Sequence, residues 1–265
     1  MEYKQYPVPK ELKQIVRYFW SYNASAPSAN KLVIKSFADK YPRLIFQDID
    51  NFEPIISDGN KMPSCYLSGL DTKPTEAFWY ESFSHFGVSF YPNALYKIWG
   101  INSEDLVDKT PDFFDIEKTI LPLKLKDAKS HEERVLVLSN YFFDKIQKKH
   151  VDFFSDFILS KKGIHDANDF TVLLKEFKIS ERKFKTEVGI TYKNFSRLSR
   201  FEKALDLISN DKEANFTQIA YDLGFADQSH LIKNFNEFAG CTPLEFKKNN
   251  QLGNESNSFI YNTNS

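Results

Sequence analysis

Between Asn215 and Phe246 the order of caps, apolar positions and glycines leaves little freedom: the segment reads as two short helices joined by a tight turn, with a third helix opening behind them. Ile219, Ala220 and Leu223 recur at helical spacing behind Asn215, which is placed to cap the first backbone N–H groups while Gln218 reaches back. Ala220 is small where a second helix would cross closely, and Gly224 supplies the positive φ that ends the first helix. Asp227 then stands where it can cap a second helix, along which Leu231, Phe235 and Phe238 form the buried stripe. Gln228, Ser229, Ile232, Lys233 and Asn236 point elsewhere, and Gly240 closes the helix. Such a helix-turn-helix lays its second helix in the major groove of DNA. The mostly polar outer face agrees, since Gln pairs bidentately with adenine, Lys donates to guanine and Ser serves either base.

The run Ile219-Ala220, Gly224-Phe225, Asp227-Gln228-Ser229-His230, Phe235, Gly240 and Thr242-Pro243 resembles the second helix-turn-helix of AraC-type transcriptional regulators. An amphipathic hairpin in some other α domain is the blander alternative, against which the turn, the cap and the closing Thr-Pro agree. The resemblance implies that Gln228, Ser229 and Lys233 face bases and that His230 sits near base edges or the backbone. It also implies that the helix opening at Thr242 offers its free N–H groups to a phosphate.

Members of that family carry two such units joined by a long helix, and Arg197 to Ile208, with its stripe of Leu198, Phe201, Leu205 and Ile208, resembles the connecting helix. Val172 to Phe177 followed by Ile179-Ser180-Glu181-Arg182-Lys183-Phe184 resembles the first unit. Here the pattern loosens: Lys178 stands where the family has its turn glycine, and Tyr192 replaces the usual proline. About four residues are missing between Ser180 and Gly189, so the first recognition helix is expected to be about one turn short. Arg182, Lys183 and Lys185 remain as DNA contacts, mostly to phosphate, with ordinary solvated charge as the alternative.

Upstream, Leu32-Val33-Ile34, Arg43 to Phe46, Cys65-Tyr66-Leu67, Phe78-Trp79-Tyr80 and Phe86 to Phe90 read as short strands, punctuated by Asp58-Gly59-Asn60 and Pro63. They predict a compact β barrel or sandwich. Asn93 to Trp99 reads as a short helix, and Glu132 to Lys148 as a longer one with Val135, Leu138, Phe142 and Ile146 on one face, turned to the core or to a second subunit. Pro9 to Leu12, Tyr18-Phe19-Trp20, Arg43 to Phe46 and Gly87 to Pro92 resemble the β-rich amino-terminal domain of some AraC-type regulators, across residues 7 to 116. That resemblance implies a domain that senses a signal or holds a dimer together. Aromatics make up 16% of the chain, and Trp20, Trp79 and Tyr91 either line a ligand pocket or fill the core.

The expected architecture is therefore α+β: a β-rich domain over 1–120, a helical linker over 121–160, an all-α domain with two helix-turn-helix units over 161–250, and a flexible tail over 251–265 rich in Asn and Ser. A net charge of −1 excludes a protein that coats nucleic acid, so DNA affinity must depend on where individual cations are placed. The two cysteines, Cys65 and Cys241, lie far apart without metal-ligand spacing, which fits a reduced, cytoplasmic protein. No stretch reads as a signal peptide or membrane span.

The five histidines form no metal-binding pair, and no phosphate loop or nucleophile elbow is present, so no enzyme activity, cofactor or metal is expected. The expected partners are double-stranded DNA and, by the resemblance, RNA polymerase, a small-molecule effector and a second copy of the chain. A protein-interaction module with weakened DNA reading is the alternative.

Overall fold

The computed structural model describes residues 2–24, 31–80, 82–146, 179–211, 213–248 and 259–262. Among the described residues, ten strands form two five-stranded antiparallel sheets. In the first, β1 (Glu2–Tyr6), β2 (Val16–Ala24), β9 (Phe83–Phe90), β4 (Arg43–Gln47) and β7 (Cys65–Ser68) lie side by side in that order. In the second the order is β10 (Phe259–Asn262), β3 (Lys31–Ser36), β8 (Thr75–Tyr80), β5 (Ile56–Ser57) and β6 (Asn60–Lys61). The Asp58-Gly59 turn joins β5 to β6 with φ 49° and 76°, the left-handed pair that a two-residue hairpin needs.

Strand alternation divides the apolar residues between two cores. Phe19, Leu44, Phe86, Val88 and Phe90 face helices α1 (Ala94–Trp99), α3 (Leu121–Asp127) and α4 (His131–Ile146), against which Leu125, Leu138 and Phe142 are buried; α2 (Phe113–Ile116) closes this layer. Their neighbours Trp20, Tyr22, Ile34, Tyr66, Trp79 and Phe83 form the other core, between the sheets. There a cavity of about 140 Å³ remains, with Trp20, Tyr66, Trp79, Arg43, Asp71 and His85 in its wall.

Every strand expected from the sequence is present. The longest, β2, lay beyond that reading because Arg17, Ser21 and Asn23 interrupt its apolar residues. Residues 121–146, expected as a linker, are two helices that bury Leu121, Leu125, Leu138 and Phe142 in the first core, in line with the core reading of the α4 stripe. Two further expectations are corrected. Within the tail expected to fray, Phe259–Asn262 pairs with β3 as an edge strand. Tyr91 lies outside the cavity wall that Trp20 and Trp79 share.

The helical part holds α5 (Glu181–Val188), α6 (Tyr192–Asn210), α7 (Phe216–Asp222), α8 (Gln228–Ala239) and α9 (Pro243–Lys248). The stripe Leu198, Phe201, Leu205 and Ile208 of α6 is buried as expected, and Tyr192 takes the first helical position, where the family's proline would also fit. Val172 to Lys178 lie outside the described residues.

This helical core is completed by the barrel domain. Phe37, 1% exposed and just beyond β3, sits edge-on to Phe201 at 6.4 Å and to Phe246 at 5.8 Å. Beside it the Ala38 N–H donates to the carbonyl of Phe238 at 2.9 Å, and Lys40 Nζ meets Glu202 at 2.6 Å and Ser199 Oγ at 3.1 Å. Burial pushes the Glu202 carboxyl up from its ordinary range even with Lys40 against it.

Breaking such a pair on one side strands a charge, whereas replacing both partners by apolar groups need cost little. Glu202→Leu alone should therefore destabilise the protein by about 3 kcal/mol, and Lys40→Met combined with Glu202→Leu should recover most of that. Urea unfolding curves of the two variants, compared through their midpoints, check both values.

Candidate nucleic-acid interface

Asn215 opens α7 by accepting from the N–H groups of Thr217 at 3.0 Å and Gln218 at 3.1 Å. The Gln218 side chain does not reach back as expected. It donates forward to Asp222 at 2.7 Å, one turn along the same face. Gly224, at φ 70°, then reverses the chain, and the Phe225 N–H returns to the carbonyl of Ala220 at 2.9 Å. Arg200 of α6 secures this turn by donating to the Gly224 carbonyl at 2.9 Å and lying over the Phe225 ring. The sequence reading overlooked Arg200, because nothing local couples it to a turn 24 residues away.

Asp227 caps α8 by accepting from the His230 N–H at 2.8 Å, and Gly240 ends it at φ 69°. Leu231, Phe235 and Phe238 are buried as the spacing predicts. Gln228, Ser229, His230, Lys233 and Asn236 are all exposed along the outer side of the helix. Gln228 Oε1 accepts from Thr217 Oγ1 at 2.7 Å, which ties the start of α8 to α7 and leaves its amide nitrogen outward. His230 is fixed more tightly than expected: Nδ1 accepts from the Ala226 N–H at 3.3 Å and the ring stands edge-on to Phe225. Lys233 makes no ion pair among the described residues. Tyr221, on α7, is 80% exposed and was not singled out in sequence; its place off the Ile219-Ala220-Leu223 stripe was the available signal.

At the start of α9, Thr242 and Glu245 cap each other. Thr242 donates its N–H and hydroxyl to Glu245 at 2.7 and 2.8 Å, and Glu245 donates its N–H back to Thr242 Oγ1 at 3.2 Å. This capping box satisfies the N–H groups of Thr242 and Glu245 within the helix start.

The first unit differs in kind. Ser180 caps α5 and Gly189 ends it at φ 106°, so the recognition helix is eight residues long, a little over two turns. Its neighbours lie in both domains, with the Phe184 ring edge-on to Phe195 of α6 at 5.5 Å. Phe184 and Val188 are buried, Ser103 Oγ donates to the Glu187 carbonyl at 2.7 Å, and Lys185 pairs with Glu104 at 2.7 Å. A Cβ on Gly189 would come within 2.8 Å of Leu70 and 2.9 Å of Val107. Lys183 lies 3.7 Å from Glu187 and Arg182 is exposed. Thus Gln228, Ser229, His230 and Lys233 share one outer face of α8, while Arg182, Lys183 and Lys185 belong to a helix seated on the barrel.

A two-sheet domain joined to a helical domain with a capped helix-turn-helix defines the class of this protein. A family described as a helix-turn-helix domain matches residues 176–249, and one described as a domain of unknown function (DUF6597) matches residues 4–112. The chain is 26% identical over 176 residues to the HTH-type transcriptional activator CfaD of Escherichia coli, covering 58% of this chain. The chain spans 65% of that relative's length, just under two thirds.

Among solved structures, ToxT from Vibrio cholerae is similar at 14% identity and a TM-score of 0.44, covering 87% of this chain and 98% of that one. ToxT with a bound unsaturated fatty acid is similar at 16% identity and a TM-score of 0.42, covering 86% and 93%. Residues 176–249 are thus similar to a helix-turn-helix domain.

Because Asp227 is the cap that starts α8, Asp227→Ala should cost about 1 kcal/mol of stability. Thermal unfolding at matched pH reads this loss, and Asp227→Asn should retain most of the cap.

Proposed function

We propose that this protein is a sequence-specific regulator of transcription that reads double-stranded DNA with α8, under the control of a ligand sensed by the barrel domain. The observation that carries the reading is the outer face of α8, where Gln228, Ser229 and Lys233 stand exposed at the start of a helix whose inner face is locked by Leu231, Phe235 and Phe238. Amide, hydroxyl and ammonium groups at the amino-terminal half of a recognition helix are the chemistry that base edges require. His230, tied to Ala226, keeps the turn in register and offers its exposed ring to the sugar-phosphate backbone. Thr242 shapes the start of α9 rather than holding a phosphate.

In this reading α5 contributes phosphate contact through Arg182 and Lys183 but reads no bases. Lys185 has Glu104 as its partner and the helix lacks the turn that would enter the groove. Specific reading then comes from α8, doubled in a dimer whose two recognition helices lie about 34 Å apart to reach successive major grooves. The cavity between the sheets favours sensing as the role of the barrel. No base-reading role falls to the barrel, and no catalytic chemistry is assigned to the chain.

Selection of the full-length protein on a random duplex library at near-physiological salt should enrich a defined motif. Lys233→Ala should then lose about 1–3 kcal/mol of specific binding, roughly 5- to 150-fold, and relax preference at one base pair. Lys185→Ala should leave the selected motif unchanged and weaken binding uniformly by less than about threefold, as expected of a cation spent on a surface ion pair. Failure to enrich any motif would move the balance to a protein-interaction module.

A further inference from the structure

We propose that the cavity between the two sheets receives a small organic cation, an ammonium group on an apolar body about the size of one ring, with its charge seated on Asp71. The proposal rests on the reading of the barrel as a sensing domain and names the class of ligand sensed.

Charge in the cavity wall is unbalanced. Arg43 is the one cation among its described lining residues, and its guanidinium is already held by Asp39. Against it stand the carboxylates of Asp58, Asp71 and Asp108. Asp108 is engaged by Thr72, whose N–H and hydroxyl both donate to it at 2.6 Å. Asp71 is different: its backbone is bridged to Asp39 by two hydrogen bonds of 2.9 Å, but its carboxylate accepts none among the described residues. Burial pushes this carboxyl up to about 7, and Asp39 and Asp108 add to the rise against the pull of Arg43. A carboxylate so placed lacks one positive charge, and a ligand cation would supply it.

The rest of the wall suits the body of such a ligand. Tyr18, Trp20, Tyr66 and Trp79 offer aromatic faces to a cation, and Ile34, Ile45 and Ile55 offer apolar surface. Trp20 is held in place by Gly87, where a Cβ would lie 2.5 Å from the indole, so no other residue could stand there without displacing the ring. His85 is 2% exposed, lines the cavity, and leaves Nδ1 without a hydrogen-bond partner among the described residues. Burial holds its imidazole neutral, with the pKa lowered to about 3, so it adds no positive charge to repel a ligand cation. A volume of about 140 Å³ matches the roughly 150 Å³ engineered cavity that holds a benzene ring. An anion of the same size would meet Asp71 and Asp108 with Arg43 already occupied.

Three probes of one shape separate the terms: benzylamine, benzyl alcohol and benzoate, titrated into the full-length protein at pH 8 and followed by calorimetry and tryptophan fluorescence. Benzylamine should bind at least about tenfold more tightly than benzyl alcohol, with benzoate weakest, in keeping with the strength of a buried ion pair. Asp71→Asn should reduce benzylamine binding at least about tenfold and leave benzyl alcohol unchanged. The unchanged neutral probe shows that the cavity is still formed.

Below about pH 7 a proton occupies Asp71 and must leave before the cation binds, so benzylamine affinity should fall between pH 8 and pH 6. The groups facing Asp71 are Arg43, Asp39, Asp108 and Tyr66, and Arg43 stays charged across this window. Benzoate or benzyl alcohol binding as tightly as benzylamine, an unaffected Asp71→Asn, or no binding of benzylamine at all would each overturn the proposal. DNA selection without any probe stands apart from these outcomes. A protein that selects a motif but ignores benzylamine loses only the cation, and one that binds benzylamine but selects no motif loses only the DNA reading.

Discussion

The structure depends on Phe37. It leaves the barrel at the end of β3 and enters the helical core between Phe201 and Phe246, so that core is not closed by residues of the helical part alone. Burying an aromatic side chain of this size outweighs the other contacts across the junction, most of which are single hydrogen bonds or an ion pair worth far less net. Its neighbours exploit the position. The Ala38 N–H reaches the Phe238 carbonyl, one of the last acceptors of α8 left without a partner in its own helix. The recognition helix is thus finished by a donor from the other domain, and a reader that could have swung on a linker is held to the barrel.

The same coupling explains the short first unit. A recognition helix must present a full outer face to the groove, but α5 spends Phe184 and Val188 on packing, and Ser103 and Glu104 of the barrel occupy its carbonyl and its cation. Gly189 brings the end of the helix close enough to Leu70 and Val107 to exclude even a methyl group. Removing about one turn of helix shortens the element by roughly 5 Å while rotating the downstream chain by only about 40°. The buried stripe of α6 therefore keeps its direction. The missing turn costs the outward residues and spares the inward ones, which is the pattern expected where docking rather than base reading determines the helix.

The legibility of each element in the sequence depended on how local its determinants are. The second helix-turn-helix was readable to the residue because its caps Asn215 and Asp227, its turn at Gly224 and its stop at Gly240 act within four or five positions. Strands β3, β4, β7, β8 and β9 were readable as short apolar and aromatic runs between turn-formers, and β2 was not, being interrupted by Arg17, Ser21 and Asn23. Phe259–Asn262 was hidden for a different reason: an edge strand is defined by its partner, here β3, more than 200 residues earlier. The same holds for Arg200 at the turn and for Lys185, whose meaning changes once Glu104 is beside it. The capping box at Thr242 is local too, since Glu245 completes it three residues on.

Cavity and reader are joined by very little chain. Asp71 stands in the cavity wall and is bridged through both backbone hydrogen bonds to Asp39, and the next residue toward the amino terminus, Ala38, caps the end of α8. On the other side of the bridge Pro74 lies against Gly240, the residue that ends the same helix. Two paths of contact thus run from Asp71 to one helix terminus, one through backbone hydrogen bonds and one through the Pro74 ring. A ligand changes such an arrangement only by as much as it prefers one placement of Asp71 over another. The charge that Asp71 lacks is where that preference would arise, since a carboxylate held without a cation has more to gain from a small movement toward one than any group already paired.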